Sequence, residues 1–276
     1  MASNSFDYHR PDALTPAEIT EKVLSLSVTK TSIPFAKQWP LTFLAGVYIA
    51  LGGLFCTLFS SDAALPYAIQ KFLGGAVFSL GLSLVVVAGA ELYTGNTMIA
   101  AGAVDGRIRW QAVLKNWVFV WLGNAAGAVT VALLVYGSHI AETGPLARGM
   151  YGIALAKVSA DWNVIFVKGI LCNLLVCLGV WVAYAGRTVI DRVAGVMLPV
   201  AAFVALGFEH CIANLYFLPL AMMLKAGGLA VEGLDLGLLT WGAVAKNLTA
   251  ATLGNTLAGV VLALLYRAAY ARKSDD

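Results

Sequence analysis

The sequence predicts an all-α membrane protein of six transmembrane helices, arranged as two inverted three-helix repeats, with spans 2 and 5 broken. Three observations carry this. The 276 residues are 60% hydrophobic and 12% charged, roughly half the charged share of a soluble domain. Six apolar runs are long enough to cross a bilayer. The second half of the chain also resembles the first.

Composition narrows the function classes. The 28 glycines suit membrane helices, where small residues let backbones approach. Net charge is +3, and no Lys/Arg run suggests nucleic acid or a polybasic lipid site. Cys56, Cys172, Cys177 and Cys211 fall inside apolar stretches as small buried hydrophobes. No CxxC or Cys/His spacing is present, and His9 and His139 lie in polar flanks, so neither a metal nor a cofactor is expected.

Residues 1–39 contain no apolar run with a small-residue cleavage site, so no cleavable signal peptide is expected. They contain a helix start: Thr15 as cap, Pro16 at the first position and Glu18 at the third. This predicts a short amphipathic helix on the cytoplasmic surface, after which Pro34 and Pro40 punctuate the approach to the membrane. A membrane domain over 40–268 and a cytoplasmic tail over 269–276 complete the expected organisation.

The apolar runs lie at about 41–59, 72–103, 113–136, 162–184, 193–224 and 243–268. The second and fifth are too long for one straight span and carry polar interruptions. Orientation follows from Lys and Arg. On one side stand Arg10, Lys22, Lys30, Lys37, Arg107, Arg109, Lys115, Arg187, Arg192, Arg267, Arg272 and Lys273. The other side has Lys71, Arg148, Lys157, Lys225 and Lys246, with Lys168 near a span start. Both termini are therefore expected in the cytoplasm.

The self-resemblance is specific. Gly89-Ala-Glu91-Leu-Tyr-Thr-Gly-Asn96 matches Gly207-Phe-Glu209-His-Cys-Ile-Ala-Asn214, 118 residues on. Lys115-Asn116 with Leu122-Gly123-Asn124 matches Lys246-Asn247 with Leu253-Gly254-Asn255, 131 residues on. More weakly, Phe43-x-x-Gly46 echoes Phe166-x-x-Gly169. The repeats thus cover about 40–136 and 162–268. Each has an odd number of spans, so the second enters from the opposite side, and the two broken segments should meet near the bilayer centre.

Ionisable groups at that depth cost roughly 2.5–3.5 kcal/mol each, yet Glu91, Glu209 and His210 are kept there. Irregular backbone at that depth is tolerated only inside protein or along a cavity. Together these predict a polar interior path. For Glu91 and Glu209, paired with Asn96 and Asn214 at the breaks, two roles stand. They accept hydrogen bonds from backbone N–H groups freed by the break, or they contact substrate and relay protons. A carboxylate on an anion's route would repel it, which favours the structural role. His210 breaks the symmetry, because its repeat partner is Leu92, and an imidazole titrates nearest neutrality. Thr94 offers a hydroxyl that can serve an anion or a cap, and Gly95 beside it is expected to allow unusual backbone. Phe78, Leu82, Leu92, Tyr93 and Phe203 are packing residues by default, or two hydrophobic constrictions that gate by dewetting.

These residues resemble a known family. Gly89–Met98, Leu171–Cys177, Gly207–Asn214 and Thr252–Asn255 look like the signatures of the formate/nitrite transporters, over about residues 5–270. The resemblance implies an aquaporin-like fold in a homopentamer with one pore per protomer, in a bacterial inner membrane. It implies a pore-centre role for His210, with Thr94 in the first broken loop and Lys157 as the vestibule lysine that attracts anions. It further implies that Asn173 and Asn255 hydrogen-bond around the centre, and that Phe78, Phe203, Leu82 and Leu92 form the constrictions. Tyr93 stands where many formate channels carry phenylalanine. The permeants implied are small monovalent weak-acid anions, formate or nitrite, which His210 would protonate; hydrosulfide and short-chain carboxylates are the alternative. An intramembrane enzyme is disfavoured, since no HExxH or Gly-x-Ser-x-Gly occurs. A water or neutral-solute channel is disfavoured by the lack of paired Asn-Pro-Ala loops.

Overall fold

The computed structural model describes residues 13–271, and all their regular structure is helical. Helix α1 spans Pro16–Ser32 and starts as the sequence specifies. The Thr15 amide donates to Glu18 Oε2 at 2.8 Å, and the Glu18 amide donates to Thr15 Oγ1 at 3.3 Å, a reciprocal box that satisfies two orphan donors. Helix α2 spans Phe35–Ser60 and contains Pro40. Pro40 therefore does not punctuate the approach: its missing N–H strips a partner only from the carbonyl of Ala36, which sits at the exposed helix start.

Helix α3, Tyr67–Ala88, ends at Gly89 with φ 82°. An extended stretch leads to α4, Tyr93–Asn96, a 3₁₀ turn Thr97–Ile99 and α5, Ala100–Val104. Helix α6 spans Trp110–Gly137, α7 Leu146–Ser159, α8 Trp162–Ala185 and α9 Val189–Ala205. Gly207, φ 67°, ends that path as Gly89 ends α3, and α10, Cys211–Ala226, and α11, Trp241–Tyr270, follow. The two ends share one hydrogen-bond pattern. Ala90 N–H donates to the Val85 carbonyl at 2.9 Å, and Phe208 N–H to Phe203 at 3.0 Å, the closure of a helix ended by a left-handed glycine. The break glycines are thus Gly89 and Gly207. Gly95 is ordinary helix, where an added Cβ would meet only Val180 at 3.9 Å, so it is not needed for unusual backbone.

Five helices, α2, α3, α6, α8 and α11, are long and apolar enough to cross a membrane, and α10 is a shorter apolar helix. Outward-facing Leu134, Leu198 and Leu265 are exposed, as expected of faces that meet lipid or a neighbouring chain. Helix α2 packs on α3 and α6, α8 packs on α9 and α11, and α3 against α9 joins the halves. At that junction a Cβ on Gly75 would meet the Ala201 backbone at 2.5 Å, so only glycine permits the approach.

Helix α7 has no forerunner in the sequence reading, which leaves 137–161 without helix. It is the repeat counterpart of α1. The buried positions Thr20, Val23, Leu24 and Ser27 of α1 fall 127 residues before Ala147, Met150, Tyr151 and Ala154 of α7, also buried. His9, and the tail beyond residue 271, lie outside the described residues.

Candidate functional site

Helix breaks strand backbone groups, and the structure shows where they go. Asn124 on α6 accepts from the Tyr93 amide at 2.8 Å and donates to the carbonyls of Thr42 and Glu91 at 2.7 and 2.9 Å. Asn255 on α11 repeats this: it accepts from the Cys211 amide at 2.9 Å and donates to Gly169 and Glu209 at 2.8 Å each. Each asparagine thus staples one broken segment to its repeat's first helix. The staples, with Glu91 N–H on Leu41 and Glu209 N–H on Lys168, pair positions 127 apart. The Phe43/Phe166 echo, at 123, is therefore one helical turn out of register.

The carboxylates are held by side chains, which corrects the sequence expectation of backbone N–H donors. Glu91 Oε1 takes Lys30 Nζ at 2.6 Å and Oε2 takes Asn96 Nδ2 at 2.7 Å. Glu209 Oε2 takes Lys157 Nζ at 3.2 Å, Asn214 Nδ2 at 2.7 Å and Asn247 Nδ2 at 3.1 Å. The freed amides go to Asn124 and Asn255 because an amide side chain presents both acceptor and donor, and each break exposes both kinds of group. Asn116 and Asn247 complete the pattern by donating to the carbonyls of Lys30 and Lys157 at 3.1 and 2.9 Å. Lys30, Asn116, Asn124 and Asn247 are thus site residues that the sequence reading did not single out as such. Lys30 sits 127 residues before Lys157, the offset at which the staples pair the two halves.

Between the two breaks, Thr94 Oγ1 lies 3.3 Å from His210 Nε2. Both residues are buried. His210 is the N-cap of α10, and its Nδ1 accepts the Ala213 amide at 3.2 Å. That bond assigns the tautomer: in the neutral ring the proton sits on Nε2 and is donated to Thr94. Phe203 stacks on the imidazole, centroids 5.8 Å apart, and Phe78 meets Phe203 edge-on at 5.8 Å. Asn173 Nδ2 donates to the Thr94 carbonyl at 3.2 Å and to the Asn255 carbonyl at 2.6 Å. Asn173 Oδ1 has no partner among the described residues.

Two cavities approach this contact from opposite ends of the bundle. One, about 180 Å³, lies beside α7 and is lined by Lys71, Phe78, Lys157, Lys168, Phe203 and His210, among others. The other, about 290 Å³, lies under α1 and is lined by Lys22, Lys30, Leu82, Glu91, Leu92 and Arg192, among others. So His210, Lys157, Phe78 and Phe203 gather at one mouth and Leu82 and Leu92 at the other. Tyr93 joins neither lining: its hydroxyl lies 2.7 Å from Thr256 Oγ1 on α11. No cluster of metal-ligating side chains occurs among the described residues.

Comparison with known proteins agrees with this architecture. The family model "Formate/nitrite transporter" matches residues 17–269. The formate channel FocA of Escherichia coli (strain K12) is 34% identical over 287 residues, covering 99% of each chain. Among solved structures, one described as an FNT family ion channel aligns with TM-score 0.81 and 31% identity, covering 91% of this chain and 98% of that one. A second, a pentameric formate channel with formate bound, aligns with TM-score 0.76 and 32% identity, covering 86% of this chain and 98% of the other. The chain is a membrane protein, and it belongs to the formate/nitrite transporter family.

Proposed function

We propose that this chain is a bacterial inner-membrane channel for formate, with nitrite as a second permeant, assembled as a pentamer with a pore in each protomer. In this reading there are six spans, the fifth made of α9 and α10, and both termini lie in the cytoplasm, so the α1-side cavity is cytoplasmic and the α7-side cavity periplasmic. The observation that carries it is the Thr94–His210 contact, a pair of hydroxyl and imidazole groups shared by both broken segments and flanked by opposed cavities with apolar collars. The relatives bearing formate-channel names supply the substrate.

The steps follow from the groups in place. Lys157, side chain 12% exposed, draws the anion to the outer mouth, although Glu209 offsets part of its charge. Phe78 and Phe203 strip water, which a small anion gives up only if polar partners replace it. His210 Nε2–H and the rotatable Thr94 hydroxyl are those partners. Leu82 and Leu92 form the second collar, which a neutral acid crosses far more readily than an anion. Weak-acid anions thereby gain over chloride, because a proton neutralises only the former.

The source of that proton has two versions. A doubly protonated His210 that gave up its Nε2 proton would keep the one on Nδ1, facing the Ala213 amide. The cap bond of 3.2 Å therefore favours His210 as a neutral hydrogen-bond donor, with the proton arriving from water in the cavities. Donation by His210 itself is the version the sequence suggests. The test of the proposal is a flux panel in proteoliposomes with formate, nitrite, hydrosulfide, lactate and chloride at two pH values. Rapid formate flux that rises at lower pH, with chloride excluded, is expected; chloride passing as fast as formate sinks the reading.

A further inference from the structure

The cavity under α1 holds three cations, Lys22, Lys30 and Arg192, against one carboxylate, Glu91. Glu91 is taken by Lys30. Nearby cations also have acids: Arg107 pairs with Glu21 and Asp105, and Arg267 with Asp105. Lys22 and Arg192 form no ion pair among the described residues; the exposed Asp191 carboxylate lies within electrostatic range of Arg192 but does not bond it. Lys22 Nζ donates to the Tyr184 carbonyl at 3.0 Å and sits 5.3 Å over the Tyr184 ring. Arg192 Nε reaches the Gly186 carbonyl at 3.5 Å. These carbonyls are two residues apart, at most about 7 Å along an extended chain, so both cations converge on one edge of the cavity. Burial, then the charges of Arg192 and Arg187, lower the Lys22 pKa from the usual lysine value. Partly desolvated like charges side by side cost free energy unless an anion answers them.

The architecture does not ask for this pair. By the register that equates Lys30 with Lys157, the counterpart of Lys22 is Gly149. By the register of the breaks, the counterpart of Arg192 is Gly74, which lines the opposite cavity. Glycine serves the fold at both positions, and this side alone carries charge there.

We propose that Lys22 and Arg192 form a docking site for a soluble divalent oxyanion, of the sulfate, hydrogen phosphate or dicarboxylate class, which blocks the pore from the α1 side. A monovalent anion answers one of the two charges and a dianion both. A single proton leaves a dianion charged, so it cannot cross the collar of Leu82 and Leu92 and remains in the mouth. The blocking half rests on the channel reading above; the binding half does not.

Inorganic sulfate, divalent throughout the accessible pH range, is the probe. Sulfate is expected to raise the melting temperature of the purified full-length protein relative to gluconate at equal ionic strength. Lys22→Gln and Arg192→Gln should each lose at least half of that rise, and Lys71→Gln, at the other mouth, should keep it. In inside-out vesicles, sulfate at about twice its dissociation constant should raise the apparent KM for formate about threefold. Flux at saturating formate should be unchanged, and both cavity variants should escape the effect. Equal melting shifts in wild type and both variants, or inhibition that survives both substitutions, would overturn the site. Wild-type vesicles that carry no formate at all would instead overturn the channel reading, while the melting shifts still decide the site.

Discussion

Replacing His210 with phenylalanine and, separately, with asparagine divides the work of this residue into parts. Phenylalanine removes the α10 cap and the Nε2–H donor together. The lost cap costs about 1 kcal/mol of stability, within the margin of a folded chain. The lost donor to a charged permeant costs about 2 kcal/mol at the centre of the path, or roughly thirtyfold in flux. Asparagine places its Oδ1 where His210 Nδ1 now accepts the Ala213 amide, so the cap survives, and its amide still donates toward Thr94 from a position set back by about one bond. It cannot titrate. If His210 acts as a neutral donor, His210→Asn should conduct several-fold better than His210→Phe, with the pH slope of the wild type. The assay is initial formate uptake into proteoliposomes from pH 5 to pH 8, with reconstituted protein quantified in each preparation. An asparagine variant that folds, keeps its melting temperature and yet conducts no better than phenylalanine would refute the donor account and return the proton to His210.

Four further outcomes are expected. Lys157→Ala should weaken formate capture at low concentration and lower the melting temperature, because Glu209 loses a buried partner, a change of about 3 kcal/mol before the remaining Asn214 and Asn247 bonds soften it; adding Glu209→Gln should recover the melting temperature, and no recovery counts against the pair. Asn255→Ala and Asn124→Ala each delete three hydrogen bonds, so thermal unfolding should fall by roughly 3 kcal/mol in both, and a shift in only one would contradict the symmetry of the staples. Gly207→Ala should cost about 1–2 kcal/mol from its left-handed φ alone, read by denaturant or heat against Gly95→Ala, which should be near neutral. Tyr93→Phe should lose about 1 kcal/mol with the Thr256 bond and leave formate flux within about twofold, since the ring lines neither cavity; a collapse of flux would place Tyr93 on the route.

The sequence made the repeat legible where chemistry is expensive. Glu91/Asn96 and Glu209/Asn214 announce themselves because ionisable and amide groups stand out from an apolar background, and their spacing is rigid: each asparagine must reach its own glutamate across the break, at 2.7 Å in both halves. Where only apolar packing was compared, the register slipped, because a single Phe-x-x-Gly match between glycine-bearing apolar helices carries no polar group that fixes the register. Helix α7 was invisible for a different reason. It is too short and too polar to read as a span, and its kinship with α1 lies in four buried positions and one lysine, a signal that emerges only when Lys30 and Lys157 are seen bonded to equivalent glutamates.

That kinship changes what the unit of the fold is. Each half consists of a helix with a lysine in its last turn, a long apolar helix, a broken element and a further long apolar helix bearing the staple. The lysine lies outside the long apolar helices, yet it answers the carboxylate at the break. The lysine-bearing helix and the broken segment are therefore coupled by a charge pair in each half, Lys30–Glu91 at 2.6 Å and Lys157–Glu209 at 3.2 Å. A movement of α1 or α7 that withdrew its lysine would leave a carboxylate with only amide partners in a poorly solvated site, so such a movement carries an electrostatic cost borne at the break itself. His210 and its repeat counterpart Leu92 are both buried at equivalent positions of the two breaks, yet they serve different ends. His210 caps α10 and meets Thr94, while Leu92 lines the cavity under α1.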